Sequence, residues 1–184
     1  MKVLIAIGAS ALLVSACGQR AEDEGDRSAT SRVAAGATAA AAAAPLGRAV
    51  SGARAKQIMH VRHEGMESIG DAFKVVGREI KSDNPNVGAI RTAAASIDRL
   101  AQQSGGWFPP GTGPNVGKTR AKAEIWQKPR DFAAKDKAFQ LAAREFNAAA
   151  VSGDIDEIRG EATDLDKACK ACHDPYRAEK GGHD

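Results

Sequence analysis

The chain has 184 residues and a formal net charge of +3, which is enough length for one domain of ordinary size. No stretch combines a block of basic residues with interleaved aromatic residues, so we predict that the protein does not bind nucleic acid. The aromatic residues are two Trp, one Tyr and five Phe. An interior with so few large rings is filled more easily when helices approach closely or when another group occupies part of it.

The first 17 residues have the pattern of an export signal. A basic start is followed by an apolar run over residues 3–14, which is shorter than the roughly 20 residues that a membrane-spanning helix needs. The segment ends in Val-Ser-Ala-Cys, which resembles the bacterial lipobox, in which the cysteine receives lipid. We therefore expect a lipoprotein of the bacterial periplasm that is anchored to a membrane through Cys17. Cleavage after Ala16 without lipidation is the alternative.

Residues 18–50 differ in composition from the rest, being rich in Ala, Gly, Ser and charge. They carry no apolar stripe with which a helix could dock, so we predict a flexible linker. As a random coil it would span roughly 30 Å. A helical extension of the domain is the alternative, because Ala favours helix.

Four stretches of the remaining sequence carry apolar residues at every third or fourth position, which is the pattern of amphipathic helices. Pro129 suits the first turn of the third helix, and Asp154 can cap the fourth. Pro175 is expected to kink or end the fourth helix, because proline lacks a backbone N–H. We predict an all-α fold over residues 51–184, an antiparallel four-helix bundle with a cofactor in its core. The apolar stripes cover residues 59–80, 87–101, 132–150 and 155–172.

The fourth stripe ends in a Cys-Lys-Ala-Cys-His motif at residues 169–173. Two thiols three residues apart on a helix can each bond to one vinyl group of a haem, and the adjacent imidazole then reaches the iron. Cys169 and Cys172 continue the apolar face of their helix, so we expect them and His173 to face the bundle interior. A thioredoxin-like pair would open a helix after a strand, and a zinc site would need a second Cys/His pair. The motif therefore predicts one covalent haem c per chain, with His173 as the proximal iron ligand.

This motif, near the C-terminus of a helical domain, resembles that of the class II c-type cytochromes, which are cytochrome c′ and its low-spin cytochrome c-556 relatives. The resemblance spans about residues 53–180. It includes Phe-Pro at 108–109 before a Gly-rich loop, Glu-Ile-Trp at 124–126 and Tyr-Arg at 176–177. It implies that Arg62 lies beside the haem propionates and Arg177 on the proximal side of the iron. It also implies that two bundles can pair as a homodimer.

The resemblance places Met66 on the distal side of the iron. In this family an apolar residue there leaves the iron five-coordinate and open to small gases, whereas methionine closes the sixth position. Met66 therefore implies a low-spin, His/Met-ligated electron carrier that exchanges electrons with redox partner proteins and is not an enzyme. The alternatives are Met66 as an ordinary core residue, Met59 or His63 as the ligand, or an open site.

An open distal site would make the protein a gas-binding cytochrome c′ that takes nitric oxide. A peroxide-reducing enzyme would also need an open site, together with an acid–base residue, for which His63 is the candidate.

Overall fold

The computed structural model describes residues 49–179, which form an α-helical domain. Within these residues the only β-type pairing is a single bridge between Ala121 and Arg177. No helix in this part of the chain combines the length and the apolar character needed to cross a bilayer. The predicted export signal, Cys17 and most of the predicted linker lie outside the described residues. The helices are α1 (Gly52–Glu79), α2 (Val87–Ala101), α3 (Glu124–Gln127), α4 (Pro129–Ser152) and α5 (Ile155–Tyr176), with a 3-10 turn at Ser104–Trp107.

Local chemistry sets the helix ends in the second half of the domain. Pro129 occupies the first turn of α4, and Gly153 ends this helix in the left-handed conformation at φ 85°. The Asp154 side chain accepts hydrogen bonds from the backbone N–H groups of Asp156 and Glu157 at the start of α5. The predicted starts of α4 and α5 are therefore confirmed.

The four long helices form an up-down-up-down bundle, in which α1 packs on α2, α2 on α4, and α4 on α5. Arg91, early in α2, donates to the carbonyl oxygen of Ala150, late in α4, at 2.8 Å. Gln102, just after α2, donates to the carbonyl oxygen of Gln140, in the middle of α4. The start of α2 thus lies beside the end of α4, and the end of α2 lies beside the middle of α4. The two helices are therefore antiparallel. The predicted antiparallel four-helix bundle is confirmed.

The apolar stripes fill the interior, as their spacing predicts. The largest fully buried apolar side chains come from all four long helices, and burial of each is worth about 1.5–3 kcal/mol. Between them, small alanines allow close helix approach; Ala94, Ala143 and Ala150 have no exposed surface. A second apolar cluster joins α3, the start of α4 and the end of α5. The large buried side chains are Val76, Ile90, Ile97, Phe146, Ile158 and Leu165.

The side of the bundle between α1 and α5 is the least closely packed of the four. These helices are linked at one end, where Arg159 donates to the carbonyl oxygen of Ile80 at 3.2 Å. Met66 lies fourteen residues before Ile80, and His173 lies fourteen residues after Arg159. At 1.5 Å per residue, both lie about 21 Å from this link, toward the same end of the bundle. The helix register thus brings Met66 and His173 to the same level.

Candidate haem-binding site

The last two turns of α5 carry the thiols and the imidazole of the predicted attachment motif. Cys169, Cys172 and His173 are each half-buried. Cys169 packs against the main core cluster. Cys172 packs against the second cluster, which contains Phe132 and Tyr176. Both thiols therefore lie against the apolar interior of the bundle, and the side chain of His173 beside them is half-buried.

Burial determines the protonation states of these groups. It raises the pKa of the Cys169 and Cys172 thiols to about 11. It lowers the pKa of His173, and the nearby charges of Arg177 and Arg120 lower it further. At neutral pH the site therefore holds two protonated thiols and a neutral imidazole. An S–H group can add across a vinyl double bond, and a neutral imidazole is the form that binds iron.

The end of α5 is fixed by a short pairing with the loop before α3. Helix α5 continues one residue beyond Pro175 and then ends, so the predicted helix end is off by one residue. The backbone N–H of Arg177 donates to the carbonyl oxygen of His173 at 2.9 Å. The N–H of Ala178 donates to the carbonyl oxygen of Arg120 at 2.8 Å. This pairing holds Arg177 and Arg120 close to the imidazole.

Arg62 is buried, with 4% of its surface exposed. Its Nη1 donates to the carbonyl oxygen of Trp107 at 3.3 Å, and its Nη2 donates to the carbonyl oxygen of Thr112 at 3.0 Å and to Thr119 Oγ1 at 3.1 Å. Its guanidinium carbon lies 5.0 Å from the centre of the Phe108 ring. Burial lowers the pKa of Arg62 to about 10, so the side chain still carries its charge at neutral pH. The described acceptors are all uncharged, so none of them neutralises this buried cation.

The structure separates the three proposed distal ligands. Met66 is half-buried and packs against the main core cluster, at the level of His173. Met59 is also half-buried, but its Cε lies beside Gly117 of the loop. His63 is exposed, and its Nε2 lies 3.4 Å from Glu67 Oε1 on the outer face of α1. The geometry therefore does not support His63 as an iron ligand or as the acid–base group of a peroxidase.

Two features of this end of the bundle were not predicted from the sequence. Trp107 is 5% exposed, and its indole packs closely against Gly65, one residue before Met66. Asp136 is 8% exposed and accepts hydrogen bonds from Ser104 and Gln140. Asp136 occupies an apolar-stripe position of α4, and this misplaced charge is the signal that could have identified it.

Together these residues fit a covalent haem c. The motif supplies two thiols and one neutral imidazole, which is the donor set of haem c attachment. Arg62 would supply a buried positive charge for a haem carboxylate. The loosely packed side between α1 and α5 lies next to the motif. Cys169, Cys172 and His173 would hold the group, and Met66 lies at the level of His173 on α1.

A family model described as Cytochrome C′ matches residues 57–177. Cytochrome c′ of Allochromatium vinosum is 30% identical over 132 residues, which are 70% of this chain and 85% of that protein. A cytochrome c′ structure with ligand-controlled dimer dissociation is 26% identical, with a TM-score of 0.64, over 70% of this chain and 100% of that one. The nitric oxide complex of a cytochrome c prime variant from Alcaligenes xylosoxidans is 28% identical, with a TM-score of 0.62 and the same coverage. These comparisons favour the gas-binding alternative over the His/Met electron carrier.

Proposed function

Since the chain belongs to the cytochrome c′ family and is a monohaem c-type cytochrome, we propose that it binds a small gas, nitric oxide in particular, at its haem iron. The family membership is the observation that carries this proposal. When bound, the haem supplies an iron that changes charge by one electron and can hold one small ligand opposite the imidazole. Cys169 and Cys172 hold the haem covalently, His173 provides the proximal ligand, and Arg62 pairs with a propionate.

The side chains on the distal side suit a small uncharged ligand. Met66 and Trp107 present apolar surface there, and both pack against the core. An apolar wall disfavours anions and water, whereas nitric oxide and carbon monoxide lose little hydration on entering it. In this proposal Met66 is a core residue that restricts the size of the site. The solved nitric oxide complex of a relative supports the proposal that the haem iron of this chain binds nitric oxide.

A second candidate function is electron transfer with Met66 as the sixth ligand. The helix register favours it, because Met66 and His173 lie at the same level of antiparallel helices. A thioether opposite imidazole gives a low-spin iron and leaves no position for a gas. Redox partner proteins would then be the binding partners of the domain.

We further propose that the mature protein is periplasmic, anchored through lipid on Cys17, and able to form a homodimer. The location and the anchor are supported by the sequence pattern of residues 1–17 alone. The dimer is supported by the relative whose dimer dissociates under ligand control. Mass spectrometry of the mature N-terminus tests the lipid, and light scattering with and without nitric oxide tests the dimer.

Titration of the reduced protein with nitric oxide tests the main proposal. We expect one nitric oxide per haem and a shift of the haem absorption bands. The Met66→Ala variant should bind the gas faster because it removes a steric barrier. Met59→Ala is the matched control, since Met59 contacts the loop, and it should leave the rate unchanged. Failure of the wild type to bind nitric oxide or carbon monoxide, with binding gained only in Met66→Ala, would overturn the gas-binding proposal and favour the electron-carrier function.

A further inference from the structure

Asp136 is the only buried carboxyl among residues 49–179. It lies on α4 and faces the 3-10 turn. Ser104 Oγ is hydrogen-bonded to its Oδ1, and Gln140 Nε2 donates to its Oδ2 at 2.7 Å. Both partners are uncharged, so an ionised Asp136 would be a buried charge with no cation hydrogen-bonded to it.

Asp136 lies close to the point of haem attachment. It lines a cavity of about 220 Å³ together with Phe108, Trp126 and Phe132. These three aromatic residues belong to the same apolar cluster as Cys172. The charge of Asp136 also contributes to the raised pKa of the Cys172 thiol. A haem bonded to Cys172 would therefore lie within the electrostatic range of Asp136.

The hydrogen bonds around Asp136 can accommodate a proton. Ser104 Oγ has one hydroxyl proton but lies within hydrogen-bond distance of two acceptors, Asp136 Oδ1 and the carbonyl oxygen of Ala101, the latter at 2.7 Å. Both contacts are satisfied when Asp136 is protonated and donates to Ser104, while Ser104 donates to Ala101. Burial also raises the pKa of Asp136, although hydrogen bonds from Ser104 and Gln140 oppose this shift.

Few other charges act on this pocket. On α4, Asp131 and Lys135 form an ion pair at 2.7 Å near the surface. On α5 the neighbour is Cys172, which becomes an uncharged thioether once haem is attached. The turn Ser104–Trp107 carries no charged side chain, and the guanidinium of Arg62 lies against Phe108 and Trp126. An added electron on the haem would therefore be felt by Asp136 with little screening.

We propose that Asp136 is a proton-binding site coupled to the oxidation state of the haem. When an external one-electron donor reduces the haem, the Asp136 carboxylate takes one proton from water and becomes a carboxylic acid. When the electron leaves, the proton returns to water. The proposal rests on haem c binding in the proposed function, but it holds whether or not the iron binds nitric oxide.

Redox titration of the haem-loaded protein between about pH 4 and pH 8 tests the coupling. The reduced state binds the proton more tightly, so rising pH favours the oxidised state. The wild-type reduction potential should fall as pH rises through the window between the two pKa values of Asp136. In Asp136→Asn this fall should be absent, and the potential at the alkaline end should be higher because a negative charge is gone.

Asp131→Asn is the matched control, since it removes an exposed carboxyl from the same helix. It should leave the pH dependence in place. Gln140→Met removes a hydrogen bond to the carboxylate and should move the pH range over which the potential falls to higher pH. This second variant tests the proposal even if Asp136→Asn fails to fold. A wild-type potential independent of pH, or the same fall in Asp136→Asn, would overturn the proposal. A failure of the proposed function appears separately, as a lack of gas binding.

Discussion

Gly65 and Gly70 lie on the same helix, α1, and offer a matched pair of substitutions. A Cβ at Gly65 would lie 2.7 Å from Trp107 Cζ2 and closer still to Cη2, whereas a Cβ at Gly70 meets nothing within 4 Å. Trp107 cannot easily move away, because it is buried and its carbonyl oxygen accepts a hydrogen bond from Arg62. The same change, glycine to alanine, therefore tests close packing at one site and helix propensity at the other.

The expected difference in the free energy of unfolding between the two variants follows from two opposing effects. Replacing glycine by alanine within a helix stabilises the fold by about 1 kcal/mol, and both variants gain this. At Gly65 the added methyl group also overpacks the indole, which costs about 1–3 kcal/mol. Gly65→Ala should thus have a free energy of unfolding about 1–3 kcal/mol below that of Gly70→Ala.

Chemical denaturation of the two haem-loaded variants, followed by circular dichroism, measures this difference. The absorption spectrum of Gly65→Ala should also change, because Met66 follows Gly65 directly, while that of Gly70→Ala should match the wild type. Equal stabilisation of both variants would refute the packing of Trp107 on Gly65.

Three further predictions concern the attachment motif and the helix ends. Replacing both motif cysteines with serine should abolish covalent haem, as judged by haem staining after denaturing electrophoresis; retention of stained haem would contradict the attachment site. Asp154→Ala should lower the free energy of unfolding by about 1 kcal/mol because α5 loses its cap; an unchanged melting curve would contradict the cap. Hydrogen bonds from Lys135 and Tyr176 lower the pKa of Asp131. Their stabilising effect is present above the ordinary carboxyl pKa of about 4 and is lost as pH falls through the lowered value. Asp131→Asn should therefore be less stable than the wild type at neutral pH, and the gap should close in acid; a gap that persists in acid would refute this origin.

Local features allowed the helices to be predicted from the sequence. The apolar stripe of α2 and the start and cap of α5 depend on residues within a few positions of one another, as does Pro129 at the start of α4. The start of α1 at Gly52, seven residues before the first predicted stripe residue, was missed. Its first turns are mostly exposed, although Ala55 is buried.

The surroundings of the site depend on contacts between distant parts of the chain. The partners of Arg62 lie 45 to 57 residues away in the loop after α2. The packing of Trp107 on Gly65 and the hydrogen bond between Ser104 and Asp136 are likewise tertiary contacts. No periodic pattern encodes such contacts, so the sequence indicated the residue types of the site but not their neighbours.

The residue on the distal side of the iron likewise does not determine the function from the sequence alone. A methionine on an apolar stripe can be either a core residue or an iron ligand, so the identity of Met66 alone does not distinguish the two roles. The sequence-based interpretation favoured the ligand and hence electron transfer. The comparisons with cytochromes c′ favour gas binding.

Electron paramagnetic resonance of the purified ferric protein separates gas binding from electron transfer, because it reports whether Met66 is bound to the iron. We expect a high-spin ferric signal and a ferrous form that binds carbon monoxide or nitric oxide. A low-spin ferric signal, together with a ferrous form that binds neither gas, would contradict the gas-binding proposal and identify a His/Met electron carrier.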